Sequence, residues 1–105
     1  MKIGLAVDAL AALAQESRLA VFRLLVQAGQ EGVAAGALGE KLGIPPATLS
    51  FHLKTLAHAR LAKSRTEGRF VIYTANYAEM DKLIAYLTEN CCAGDGTQCT
   101  PVKKC

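Results

Sequence analysis

The stretch from residue 44 to residue 60 restricts the fold of this chain more than any other. Pro45 and Pro46 end whatever precedes them, and a proline suits the first turn of a helix because its missing N–H would have no partner there. At about 100° per residue, the apolar side chains that follow form one narrow stripe. The stripe comprises Leu49, Leu53 and Leu56, with Ala57 beside it. The sequence therefore predicts a helix that packs inward through its leucines.

The opposite face of this helix is small, hydroxylated and basic, with one aromatic side chain. Its residues are Ala47, Thr48, Ser50, Phe51, Lys54, Thr55 and His58. Hydroxyl and ammonium groups can contact phosphates and base edges, and Phe51 can contact a thymine methyl group. Taken alone, the stretch fits an ordinary surface helix equally well.

Two helices are predicted at the start of the chain. The first ends near Gln15 and repeats apolar residues at helical spacing: Leu5, Ala9, Leu10 and Leu13. The second runs from Ser17 to Ala28, with Gly29 as a left-handed cap. Its inward side chains are predicted to be Leu19, Phe22, Leu25 and Val26. This second helix is expected to form the centre of the core.

A helix-turn-helix follows. Residues 30–32 form a loop, and residues 34–42 form a third helix that Gly43 closes. A helix, a glycine-containing turn and a helix over residues 45–59 is the pattern in which the second helix enters the major groove of DNA. Many helical hairpins share this pattern, so the segment after it matters.

That segment is a predicted β-hairpin. Residues 61–65 and 70–74 are short, partly alternating segments, the second of which is rich in Val, Ile, Phe and Tyr, and Gly68 lies in the turn between them. A two-stranded ribbon directly after a recognition helix is the wing of a winged helix. Arg65 and Arg69, near its tip, can reach the DNA backbone or minor groove, although arginines at a hairpin tip are often only solvated.

A last helix is predicted to begin at Asn76, with Glu79 completing a capping box. Its apolar stripe continues for three turns through Met80, Leu83, Ile84, Leu87 and Cys91. The surplus apolar face of the first helix can cover part of this stripe, and a symmetric dimer would cover the rest. If the stripe packs only on its own core, the protein is a monomer.

The predicted fold is therefore mostly α with a small β-hairpin, in the order α-α-α-α-β-β-α, homodimeric. A chain of 105 residues has room for one such domain, expected at residues 1–90. The net charge is only +3, but residues 54–69 carry five Lys or Arg against Glu67 alone, which suits contact with phosphates. No apolar run approaches the roughly 18 residues of a membrane span, and no signal sequence is present, so the cytoplasm is expected.

All four cysteines lie within residues 91–105, which are expected to form a flexible cysteine-rich tail. A disulfide framework would distribute cysteines through the fold, and cytoplasmic thiols stay reduced. The crowding therefore favours a soft-ligand site or a redox tail.

Three segments together resemble the ArsR/SmtB family of metalloregulatory winged-helix repressors. They are Ala-Leu-Ala-Gln-Glu-Ser-Arg-Leu at residues 12–19, Thr-Leu-Ser-Phe-His-Leu-Lys-Thr-Leu at residues 48–56, and Glu-Gly-Arg at 67–69 followed by Val-Ile-Tyr at 71–73. Gln15 and Glu16 depart from the Asp-Pro of many relatives, which affects how the second helix is capped. The resemblance implies a homodimer that represses its own operon until a toxic ion binds.

The resemblance also implies which residues contact DNA. The recognition helix would use Ala47, Thr48, Ser50 and Phe51, with Lys54 alongside, in addition to Arg65 and Arg69, which the position of the hairpin tip already suggests. His52 matches a position that is commonly histidine in the family. Because it lies at the edge of the apolar stripe, we expect a partly buried structural residue there rather than a reader of bases.

The inducer site implied by the resemblance is the arsenic-responsive one. Residues 33–38 lack the cysteine pair of one branch, and the last helix lacks the histidine of the zinc branch. Adjacent Cys91 and Cys92, with Cys99 following, resemble the branch that binds As(III) or Sb(III), and Cys105 can substitute for Cys99. Arsenite takes three sulfurs in a pyramid, whereas adjacent cysteines suit tetrahedral zinc poorly.

Several alternatives stay open. The same fold can sense methylated trivalent arsenicals, which need two sulfurs, or thiol oxidation. A module that sequesters metal without touching DNA is a further possibility. An enzyme is not expected: a cysteine-based arsenate reductase needs an anion cradle, and Arg69 is the last arginine of the chain.

Overall fold

The structure, a computed structural model, describes residues 1–91 and contains five α-helices and a three-stranded sheet in that range. In chain order the elements are α1 (Ile3–Leu13), α2 (Glu16–Ala28), a 3-10 turn (Gly29–Glu31), β1 (Val33–Ala34), α3 (Ala35–Leu42), α4 (Pro46–His58), β2 (Ala62–Glu67), β3 (Phe70–Ala75) and α5 (Tyr77–Thr88). The predicted fold class is confirmed, with β1 as an addition. The division into a domain and a tail stays a prediction, because residues 92–105 lie outside the described part.

The core is built from leucines of the central helices and from alanines. Its largest fully buried side chains are Leu25, Leu38, Leu53, Leu56, Leu61 and Val21. Helix α1 buries Ala9, a member of the predicted apolar stripe, together with Ala6 and Ala12, because small side chains let α1 approach its neighbours closely; Leu5 and Leu13 are half-buried. Leu10 is exposed instead.

On α2, Phe22 and Leu25 are buried as predicted and Val26 is partly buried, but Leu19 does not belong to the inward face. Val21 is buried, whereas Leu19 is 43% exposed. At about 100° per residue, Leu19 lies about 160° around the helix from Val21, so both cannot face the core. Gly29 follows the helix with positive φ, as predicted, but its φ of 75° and ψ of −160° lie outside the left-handed helical region.

The sheet has the antiparallel order β1-β3-β2. Glu67 pairs with Phe70, so the hairpin loop is only Gly68 and Arg69, tighter than the predicted four-residue turn. Gly68 has a φ of 60° at the first loop position, as in a type II′ turn. Val33 pairs with Tyr73, which ties the segment before α3 to β3, the central strand of the sheet.

The ends of α4 and the start of α5 are fixed by local hydrogen bonds. Gly43 is left-handed and closes α3, as predicted. Arg60 is left-handed at the end of α4, where the Leu61 N–H donates to Leu56 O at 2.9 Å in a Schellman arrangement. Asn76 Nδ2 then donates to Arg60 O at 2.9 Å. The wing therefore leaves the recognition helix at a fixed angle.

Helix α5 begins at its predicted cap. The Glu79 N–H donates to Asn76 Oδ1 at 3.4 Å. A capping box would also need a hydrogen bond from the Asn76 N–H to the Glu79 carboxylate, and the described residues do not form it. The Asn76 N–H donates to Leu61 O instead, and the Glu79 carboxylate faces Lys82. Tyr77 adds an anchor to α2 by donating its hydroxyl to Val26 O at 2.8 Å. Within residues 1–91, every helix is too short or too polar to cross a membrane.

Candidate nucleic-acid interface

Helix α4 has one buried and one exposed face. Leu49, His52, Leu53 and Leu56 are buried. The predicted DNA-contacting residues Ala47, Thr48, Ser50, Phe51 and Lys54 are all exposed. Ala57, predicted beside the inward stripe, is exposed as well, because the leucines and His52 already fill the contact of α4 with α1, α2 and α3.

The exposed face combines an aromatic ring with polar groups. Phe51 is 63% exposed on this face, so its ring is available for contact with another molecule. Thr55 is half-buried and donates its hydroxyl to Phe51 O at 3.0 Å, so it is a weaker candidate than Thr48 or Ser50 for contact with a phosphate. Lys54 adds a positive charge next to the ring.

Arg65 is held by the protein itself. Its Nε donates to Glu67 Oε2 at 2.6 Å, and its two terminal nitrogens donate to Gln30 O at 3.3 Å and Glu31 O at 2.8 Å. These bonds use the fork of the guanidinium and join β2 to the 3-10 turn. In this structure the Arg65 guanidinium is bound within the protein, and its predicted contact with DNA stays a prediction.

Arg69 is placed differently. It occupies the second position of the hairpin loop and is exposed, and its side chain makes no hydrogen bond or ion pair within residues 1–91. Phe70, directly after it, is 63% exposed and was missed by the sequence analysis. Its position next to the predicted hairpin tip could have indicated that its side chain is exposed. Arg69 and Phe70 thus pair a cation with an apolar ring at the end of the wing.

His52 is buried, as expected, and contacts a residue that the sequence analysis did not single out. Arg18 Nη1 lies 3.4 Å from His52 Nδ1, and because arginine only donates, Nδ1 is the acceptor. Arg18 Nε donates to Ala12 O at 2.7 Å. Nothing in the spacing of these three residues signals that the fold brings them together.

Of the predicted inducer ligands, only Cys91 belongs to the described part of the chain. It is exposed and follows the end of α5 by three residues. Cys92, Cys99 and Cys105 lie outside the described residues, so the predicted ligand set stays a prediction. Within residues 1–91, no group of three or more His, Cys, Asp or Glu side chains is arranged to hold a metal ion.

The buried leucine face of α4, its exposed polar face and the hairpin after it define a winged helix-turn-helix domain. The chain belongs to a family described as "Helix-turn-helix domain", whose model matches residues 13–65. It is 45% identical over 58 residues to the "Uncharacterized HTH-type transcriptional regulator YceK" of Bacillus subtilis, a match that covers 55% of this chain and 57% of that protein. The chain thus matches little more than half the length of that relative.

Two solved structures are similar over most of the chain. An "ArsR-like Transcriptional Regulator from Rhodococcus sp. RHA1" has a TM-score of 0.75 at 26% identity, and the match covers 91% of this chain and 87% of that one. The winged helix-turn-helix DNA-binding domain Mb0332 from Mycobacterium bovis has a TM-score of 0.67 at 25% identity, with 84% and 82% covered. It is described as homodimeric and as a possible ArsR-family regulator.

Proposed function

We propose that this chain is a transcriptional regulator of the ArsR type that binds operator DNA through α4 and the wing. The observation that carries the proposal is the exposed polar and aromatic face of α4, presented by a buried leucine face and flanked by Arg69 at the wing tip. The description of YceK as a transcriptional regulator supports it.

The proposed DNA-binding unit is a homodimer formed through α1 and α5. These helices contact each other and expose large apolar side chains: Ile3, Val7 and Leu10 on α1 and Leu87 on α5. A two-fold axis would bury both sets against their own copies. The homodimeric state of Mb0332 supports this arrangement. Two recognition helices could then occupy successive major grooves, about 34–36 Å apart.

The proposed inducer is As(III) or Sb(III), held by the thiolates of Cys91, Cys92 and Cys99 or Cys105. Soft thiolates select thiophilic ions, and three of them satisfy trivalent arsenic. Cys91 lies three residues after the end of α5, and α5 carries part of the proposed dimer face. Capture of the ion there would change the subunit contact and hence the spacing of the two recognition helices, which releases the operator.

The DNA-binding part is tested by comparing two arginines of the wing. The probe is a labelled duplex selected from a random pool by the wild-type protein, and the measurement is fluorescence anisotropy over a salt series. Arg69→Ala should weaken binding on the order of tenfold and lower the slope of log K against log salt by about 2 per dimer, one phosphate contact per subunit. Arg65→Ala should leave the slope unchanged, because its guanidinium is already bound within the protein.

Arg23→Ala removes an exposed arginine on α2 and serves as the control for lost net charge. If Arg65→Ala lowers the slope as much as Arg69→Ala, Arg65 contacts phosphate after all. Absence of salt-dependent binding by the wild-type protein would contradict the DNA-binding proposal and favour a sequestering module.

The inducer part predicts a response that depends on the cysteines. With fully reduced protein, arsenite should weaken operator affinity about 5- to 150-fold, the range of a coupling of 1–3 kcal/mol. Cys91→Ser and Cys92→Ser should abolish this response without changing affinity in the absence of arsenite. Comparing Cys99→Ser with Cys105→Ser identifies the third ligand, and an unimpaired response of Cys91→Ser and Cys92→Ser would refute the thiolate site.

Thiol oxidation is the second candidate signal, because neighbouring thiols such as those of Cys91 and Cys92 oxidise readily. Disulfide formation removes the thiolate that arsenite needs and can itself reposition the segment after α5. Release of the operator by peroxide but not by arsenite would favour it. A response of Cys99→Ser to methylarsenite but not to arsenite would favour sensing of methylated arsenicals.

A further inference from the structure

Arg18 lies where three helices meet. Its backbone N–H donates to the Gln15 side chain at 2.8 Å, which caps the start of α2. Its Nε donates to Ala12 O at 2.7 Å in the last turn of α1, where carbonyls lack helical partners and a cation is favoured. Its Nη1 donates to His52 Nδ1 at 3.4 Å on the buried face of α4. One side chain therefore joins the end of α1 to the recognition helix.

The contact between α1 and α4 is open beside this junction. Asp8 and Ala12 of α1 face Lys54 and His58 of α4 across a groove of about 630 Å³, which Arg18 also lines. Beside this groove, the Arg18 side chain joins the two helices directly, through Ala12 O of α1 and His52 Nδ1 of α4. His52 in turn adjoins a DNA-facing residue, since the His52 and Phe51 ring centroids are 5.9 Å apart.

We infer that Arg18 and His52 are positioning residues, which transmit the orientation of α1 at the subunit contact to the recognition helix. Neither residue needs to touch DNA. Helix α1 carries the exposed apolar side chains Ile3, Val7 and Leu10 on the surface assigned to the second copy, whereas Arg18 holds the Ala12 carbonyl in its last turn. The junction thus fixes the spacing and the tilt of the two recognition helices in the dimer. This inference rests on the proposed function.

The experiment measures operator binding, half-site spacing preference and dimerisation of the full chain. The probes are the selected duplex and a duplex in which the half-sites are moved apart by two base pairs. His52→Leu fills the space of the imidazole but removes the hydrogen-bond acceptor of Arg18. His52→Gln keeps a side-chain oxygen that can accept a hydrogen bond from Arg18. His52→Leu should bind the selected duplex about tenfold more weakly and lose most of the preference between the two duplexes. Its dimer constant and salt slope should stay within twofold of the wild-type values, and His52→Gln should recover affinity to within about threefold.

Arg18→Lys is the second variant, in case His52→Leu does not fold. It keeps the charge but loses the guanidinium fork, so the same loss of spacing preference is expected at an unchanged salt slope. If Arg18→Lys, or a folded and dimeric His52→Leu, keeps the wild-type spacing preference and affinity, the inference is overturned while the proposed function stands. If the wild-type protein does not bind duplex DNA, both are overturned.

Discussion

Replacement of Leu87 by glutamate is expected to make the protein monomeric at micromolar concentration and to abolish binding to a two-half-site operator. Leu87 is 57% exposed on α5, and the α1–α5 face has other large apolar side chains in the same state. Burying a leucine contributes about 1.5–3 kcal/mol, and a two-fold interface counts each side chain twice. The substitution removes the apolar surface that Leu87 would bury in the dimer, and it places two carboxylates where water is excluded. Dimerisation should therefore weaken at least about 100-fold, since each 1.4 kcal/mol corresponds to a factor of ten.

Ala85→Glu provides the matched control. Ala85 is exposed on the same helix, and at about 100° per residue it lies about 160° around α5 from Leu87. The same charge there should leave the dimer intact. Sedimentation equilibrium gives the dimer constants, and anisotropy gives the operator affinities. Monomeric Leu87→Glu that retains wild-type operator affinity would show that dimerisation is not required for binding. Equal dimer constants for the two variants would place the subunit contact elsewhere.

The recognition helix could be predicted because local signals agree there. Pro45 and Pro46 set its start, and the spacing of Leu49, Leu53 and Leu56 sets its buried face, so local rules suffice. The hairpin was predictable for the same reason, since Gly68 supplies the positive φ that a two-residue turn requires. Structure that depends on one segment's own chemistry is therefore visible in the sequence.

Strand β1 could not be predicted in this way. Val33 and Ala34 are too few to show a period, and their partners Tyr73 and Ile72 lie almost forty residues later. The role of Arg65 was hidden for a related reason. Its acceptors on Gln30 and Glu31 are backbone carbonyls, which any sequence provides. Contacts of this kind depend on how the wing packs against the body of the domain.

Helix α1 shows a further limit of the sequence. Its leucines form the more hydrophobic stripe, yet the alanines Ala6, Ala9 and Ala12 are buried. Hydrophobicity alone does not distinguish a face that packs within the chain from one that packs on a second copy, since both exclude water. The sequence shows that α1 has more apolar side chains than one small helix needs. Which of them face the core could be determined only from the fold.

Replacement of Gly32 by alanine is expected to be the most destabilising single substitution proposed for this chain. Gly32 has a φ of 73° and a ψ of −169°, a region that is essentially restricted to glycine. An added Cβ would lie 2.4 Å from Tyr73 O and 2.7 Å from Thr74 Cγ2, so β1 would have to separate from β3. Strain and clash together should cost about 3–5 kcal/mol.

Gly29→Ala separates these two contributions. Gly29 has nearly the same backbone conformation, with a φ of 75° and a ψ of −160°, but a Cβ there meets nothing within 4 Å. It should therefore show only the conformational cost, about 1–3 kcal/mol, and urea unfolding of both variants gives the difference directly. If both variants lose the same free energy of unfolding, β1 accommodates the added methyl group without cost. A larger loss for Gly32→Ala would establish that the two-residue strand is a rigid tie between the helix-turn-helix and the wing.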